Sequence, residues 1–161
     1  MYKLTQTTAI KRLADGAVIP ADPANDDYKK YIAWVALGNS VIPADVPTAL
    51  QMWERIKAER DRRSSSGVLV GTKWFHSDDR SRIQQLGLLS MGASIPANLL
   101  WKTMDGTFVT MTQTLAGQVF GASAAGDQAI FAKAEWHKAQ MEAAPVPGNY
   151  DFSGGWPAVF V

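Results

Sequence analysis

Cysteine is absent from all 161 residues, which removes disulfides, thiolate metal sites and cysteine nucleophiles from consideration. Histidine is scarce: His76 and His137 are the only two, and a metal site would need them to converge with an aspartate. Nothing in their spacing argues for that, so no metal and no cofactor are expected. No apolar run approaches the roughly 20 residues that span a bilayer, and the polar opening lacks the pattern of a secretory signal. The expectation is synthesis in the cytoplasm without membrane association. Neither sign of charge dominates, since 16 Lys and Arg stand against 15 Asp and Glu. The broad basic face of a nucleic-acid binder is therefore missing. Only a local cluster, Arg60, Arg62 and Arg63, with Arg80 and Arg82 further on, carries that possibility. A phosphate-cradling glycine loop is missing too.

What the chain does have is apolar bulk. Nearly half its residues are apolar, and six Trp, six Phe and four Tyr suffice for a real core. The length suits one medium domain, or a small domain with an appended module.

The opening Tyr2 to Ile10 is threonine-rich and alternating, Asp15-Gly16 is a turn signal, and Ala17-Val18-Ile19 reads as a returning strand. Residues 2–19 are expected to form a β-hairpin that needs a cover. Asp22-Pro23 would start a helix carrying Tyr28, Tyr31, Ile32 and Val35 on one face, with Gly38-Asn39 ending it. The tyrosines and Trp34 read as core. Pro43 and Pro47 bracket a connection. The helix from about Thr48 to Arg63 has Leu50, Trp53 and Ile56 on a narrow apolar face and a Glu59–Arg63 pair. It is expected to join two modules or to associate with copies of itself. Ser64-Ser65-Ser66-Gly67 reads as a flexible break.

Val68 to Trp74 then reads as a strand, and at Ser77 the pattern turns helical. A Ser77 cap with Asp78 and Asp79 facing the positive helix end is how such a helix begins. Ile83, Leu86 and Leu89 give its apolar face. A catalytic reading of His76-Ser77-Asp78-Asp79 fails because neighbours in a strand-to-helix turn cannot converge as nucleophile, base and orienter. Leu99 to Met104 and Thr107 to Thr112 form a hairpin about Asp105-Gly106, joining Val68 to Trp74 in a sheet of about three strands. The last helix runs from about Thr112 to Ala143, with a kink or break expected near Gly126 and His137 expected to be exposed. The chain then ends on Tyr150, Phe152, Trp156, Phe160 and Val161, an apolar tail that either packs on its own domain or docks on a partner.

Several of these motifs occur together elsewhere. From about Arg60 to Ala144, the aromatic-ended strand, Ser77-Asp78-Asp79-Arg80-Ser81, the Trp101 strand with its Asp105-Gly106 turn and the alanine-rich helix resemble a domain of unknown function. That domain is found in many bacteriophage and prophage proteins, commonly encoded near tail-fibre genes. Met1-Tyr2-Lys3-Leu4-Thr5, Ile19-Pro20-Ala21-Asp22-Pro23 and the Tyr28 to Trp34 helix look like the front end of such proteins. The resemblance supplies no active site. It implies a non-enzymatic, tail-associated protein of the virion, made in the host cytoplasm, whose partners are other tail or tail-fibre proteins and copies of itself. A tail-fibre assembly factor, confined to the host cytoplasm, is the alternative, and a glycan-binding or glycan-processing tail protein a remote one. The expected class is α+β: a hairpin–helix module (1–40), a connecting helix and linker (41–66), a β-α-β-β-α domain with a small antiparallel sheet (67–144) and the tail (145–161).

Overall fold

A computed structural model describes residues 1–160. The fold is α+β, built as two compact units, Met1–Pro47 and Thr48–Val161.

The first unit contains three antiparallel strands in the order β1 (Tyr2–Leu4), β2 (Ile10–Arg12) and β3 (Val18–Ile19), where a two-stranded hairpin was expected. Tyr2 to Ile10 is not one strand because its threonines make a turn. The Thr5 hydroxyl donates to Ala9 O (2.6 Å) and accepts from Thr7 N (3.2 Å), replacing ladder bonds with local side-chain bonds. Gly16, at φ 75°, makes the second turn. Along its outer edge β1 is covered by Ile42, whose N–H donates to Tyr2 O and whose carbonyl accepts from Leu4 N.

Helix α1 (Asp26–Ala36) starts later than Asp22-Pro23 suggests. Asn25 is its cap, accepting from Asp27 N and Tyr28 N, while Asp22 and Pro23 form a preceding turn. Its buried side is Tyr28, Tyr31 and Trp34, and Ile32 and Val35 face outward. Tyr2 decides this rotation: its ring meets Tyr31 and Trp34 edge-on, both at 5.2 Å between centroids.

The second unit is organised on α4 (Gln113–Ala143), one unbroken helix of 31 residues with no interruption at Gly126. Along it pack α2 (Ala49–Ser64) and α3 (Asp79–Met91). The expected connector is thus an integral wall. Thr48 and Gln51 cap α2 reciprocally, and Met52 and Ile56 are buried while Leu50 is exposed. Nor is there one three-stranded sheet. β4 (Val68–Val70) turns through Gly71 to pair with β5 (Lys73–Phe75), and β6 (Leu100–Lys102) pairs with β7 (Phe108–Thr110) about Asp105-Gly106. A single backbone bond from Met104 N to Trp74 O (2.9 Å) links the two hairpins. One core gathers Phe75, Leu88, Met111, Ala116 and Val119; another gathers Met52, Ile56, Ala134 and Met141.

Candidate functional site

The start of α3 and the end of α4 hold the polar residues that the sequence singles out, and each is built differently from expectation. Ser77 does not cap α3. It is almost fully buried, accepting from Gly67 N (2.8 Å) and donating to Ser64 O (2.7 Å). The segment after α2 is therefore pinned rather than flexible. Gly67 is required there, since its φ is +94° and a Cβ would fall 2.3 Å from the Met104 sulfur.

Asp78 is the cap, accepting from Ser81 N (3.1 Å) and from the Ser81 hydroxyl (2.7 Å), which hold its carboxyl below the usual range. Asp79 lies in the first turn, as expected. Arg82 then reaches across to α4. Its guanidinium makes a bidentate pair with Asp127, donates from Nη2 to Ser64 O (2.8 Å) and donates from Nε to Ser77 O. This anchor sets the helix's rotation. Gln85 and Leu88 turn inward beside it, while Ile83 and Leu86 are 71% and 53% exposed, against the expected apolar face.

A cleft of about 500 Å³ opens here, lined by Asp61, Ser64, Asp78, Asp79, Asp127 and Phe131, with Arg82 also on its wall. Carboxylates outnumber the cation, so its field favours positive groups. Neither histidine lines it. His76 offers its carbonyl to Gln85 Nε2 (2.7 Å), and His137 lies with the tail, so the two are not assembled into one site. Among the described residues no group of three or more His, Asp or Glu is arranged to hold a metal.

The basic cluster is paired within the unit, three arginines sharing two carboxylates. Arg60 pairs with Asp61 (2.7 Å) and covers the Phe131 ring, Arg62 grips Glu59 with two bonds, and Arg63 reaches Glu59 (2.6 Å). The Arg62 and Arg63 bonds outweigh partial burial and hold the Glu59 carboxyl at about 2.

His137 departs most from expectation: it is buried, 2% exposed. Nδ1 lies 2.7 Å from the Tyr150 hydroxyl and Nε2 lies 3.0 Å from Gly154 O. A carbonyl can only accept, which assigns the proton to Nε2 and leaves Nδ1 to accept from the phenol. Trp156 stacks obliquely on the imidazole at 4.9 Å. Burial, chiefly, then the Lys133 charge, pull its pKa below the usual histidine value.

The tail therefore lies on its own unit. Tyr150, Phe152 and Trp156 pack, partly buried, with Trp53 against the Met52–Ile56–Met141 core, which is the first of the two expected arrangements of the tail. Further along, Pro157 O accepts from Arg63 Nη1 (3.1 Å), Phe160 N donates to Ser66 O (3.0 Å), and the Phe160 ring meets Trp74. Val161, the last expected docking residue, lies outside the described residues. Nothing in the local sequence marks His137 as buried, because its partners come from beyond the helix end.

Residues 47–154 match the model of a family described as a domain of unknown function, DUF4376. The chain belongs to that family. No curated protein and no solved structure matches it. The DUF4376 region begins beside Thr48, the cap of α2, and ends at Gly154, the carbonyl that holds His137. It spans the elements of the second unit and leaves most of the first outside.

Proposed function

We propose that this DUF4376 protein is a non-enzymatic bacteriophage tail component, a virion subunit at or near the tail-fibre attachment, acting through contacts with other tail proteins and with copies of itself. The observation that carries the reading is the outward placement of large apolar side chains on a unit whose cores are already closed. Ile83 and Leu86 on α3, and Leu100 and Phe108 on the outer side of the second hairpin, face solvent. Such groups are what a subunit buries against neighbours in an assembly. The tail-fibre-locus resemblance supplies the setting. The cleft beside α3 suits a basic side chain of a neighbour, placing charge selection beside apolar area.

Quantitative mass spectrometry of purified, DNA-filled particles tests this. The protein is expected at a fixed copy number that is a multiple of the tail symmetry. Abundance in the lysate with absence from the particle would contradict the subunit reading and assign the chain to fibre assembly.

A further inference from the structure

We propose that residues 150–160 are an acid-released strap, clasped onto α2 and α4 by the neutral imidazole of His137. This inference stands on the second unit alone and does not depend on the tail assignment. The strap has almost no regular structure of its own. Past the short helical turn Pro147–Asn149 it bends through Gly154 and Gly155, the latter at φ 75°, and it is held by side chains rather than by a ladder. Both ring nitrogens of His137 are spent on it, one on the Tyr150 hydroxyl and one on Gly154 O, and Trp156 lies against the ring. Trp156 in turn donates from its indole nitrogen to Phe152 O (2.7 Å), so the histidine organises the whole bend.

The groups facing His137 come from every element packed on it. α4 brings Lys133, α2 brings Arg63, and the strap brings Tyr150 and a carboxylate, Asp151. Burial opposes a positive imidazole most, followed by the Lys133 charge and, more weakly, Arg63, while the Gly154 carbonyl and the exposed Asp151 carboxylate favour it. A second proton would fall on Nδ1, where the clasped state presents a phenol hydrogen, so the phenol must also turn. With the strap lifted, the ring is hydrated and free to take that proton. Lifting the strap and protonating His137 therefore favour each other. Since the closed state binds the proton more weakly than an ordinary histidine at 6.5, strap closure is undiminished above that pH and weakens as pH falls below it. Release bares the apolar seam of Met52, Ile56, Ala134 and Met141.

Hydrogen exchange by NMR on the full chain tests the clasp, with each rate divided into the unprotected rate at the same pH. Between about pH 7.5 and about pH 5, protection of the Trp156 indole N–H and the Phe160 amide is expected to fall. Below 6.5 the loss is at most about tenfold per pH unit and levels off once the clasped ring itself takes the proton, while amides in the middle of α4 keep their protection. His137→Gln retains a donor and flattens the dependence. Level protection in the wild type, or an equal fall in the glutamine variant, overturns the proposal. Should that variant fail to fold by circular dichroism, Tyr150→Phe serves instead. It removes the donor to Nδ1, and a shallower fall from a lower starting protection is expected, whereas the unchanged wild-type fall overturns the clasp.

Discussion

Helix α4 carries two polar knots in the second unit, and they are made on opposite principles. At Asp127 the knot is ionic: Arg82 joins α3 to α4, with side chains that remain 28% and 30% exposed. At His137 it is neutral, nearly sealed, and holds a segment with little structure of its own. A charged pair kept partly in water retains much of its hydration and gains from geometry, whereas a sealed polar group is stable only while uncharged and fully bonded. One unit thus has an ionic clamp on one turn of α4 and a neutral one, dependent on an uncharged ring, on another. Above 6.5 both are complete. Falling pH first weakens the histidine knot, because the unfolded chain binds that proton more readily. Carboxylates such as Glu59, held at about 2 by Arg62 and Arg63, stay charged well below that point.

Removing either knot should separate their roles. Truncation after Asn149 takes away Tyr150, Phe152 and Trp156 together and opens the core beneath them. It should cost about 4 kcal/mol by urea unfolding, given about 1.5–3 kcal/mol for each large side chain fully buried and less for these partly buried ones. A stability unchanged within error would show that the strap is not part of the folded unit. Arg82→Met should cost somewhat less, about 3 kcal/mol, since Asp127 and the Ser77 carbonyl lose their donor and the Ser64 carbonyl loses one of two. Its effect should persist across mild acid, which sharpens the contrast with the strap.

A smaller pair of substitutions tests the start of α3. Ser77→Ala strands the Gly67 N–H and should cost about 2 kcal/mol, while Asp78→Ala loses a cap worth about 1 kcal/mol. A cap-sized loss at Ser77 with Asp78→Ala near neutral would instead make Ser77 the cap. At the lower limit, Ile83→Ser should shift stability by no more than about 0.5 kcal/mol, as expected for an exposed side chain. The same change should weaken particle incorporation if the outward face is a subunit contact.

Local chemistry made much of this fold legible. Thr48 and Thr112 open their helices, Gly38-Asn39 closes α1, and Asp105-Gly106 turns the second hairpin where such residues should. The Glu59–Arg63 pair could be read from its spacing. What was not legible depended on partners far along the chain. Ile83, Leu86 and Leu89 have helical periodicity, yet the Arg82–Asp127 pair rotates Ile83 and Leu86 outward. Apolar spacing alone cannot anticipate a polar anchor on another helix. His137 lies among charged neighbours in sequence, so exposure was the natural reading. Its burial comes from the strap folding back, with Gly154 and Tyr150 contributed from past the helix. Ser77 departs from the cap pattern for a related reason: its hydroxyl serves the chain before β4 rather than the helix after it.

The contrast between the two knots rests on the protonation of one ring, and NMR titration of the His137 imidazole nitrogens and carbons reads it directly. The geometry assigns the proton to Nε2 at neutral pH, and the burial of the ring predicts a midpoint below the ordinary 6.5. A ring carrying its proton on Nδ1 would mean that Tyr150 and Gly154 do not hold it as described, and one that titrates at or above 6.5 would mean that acid does not release the strap.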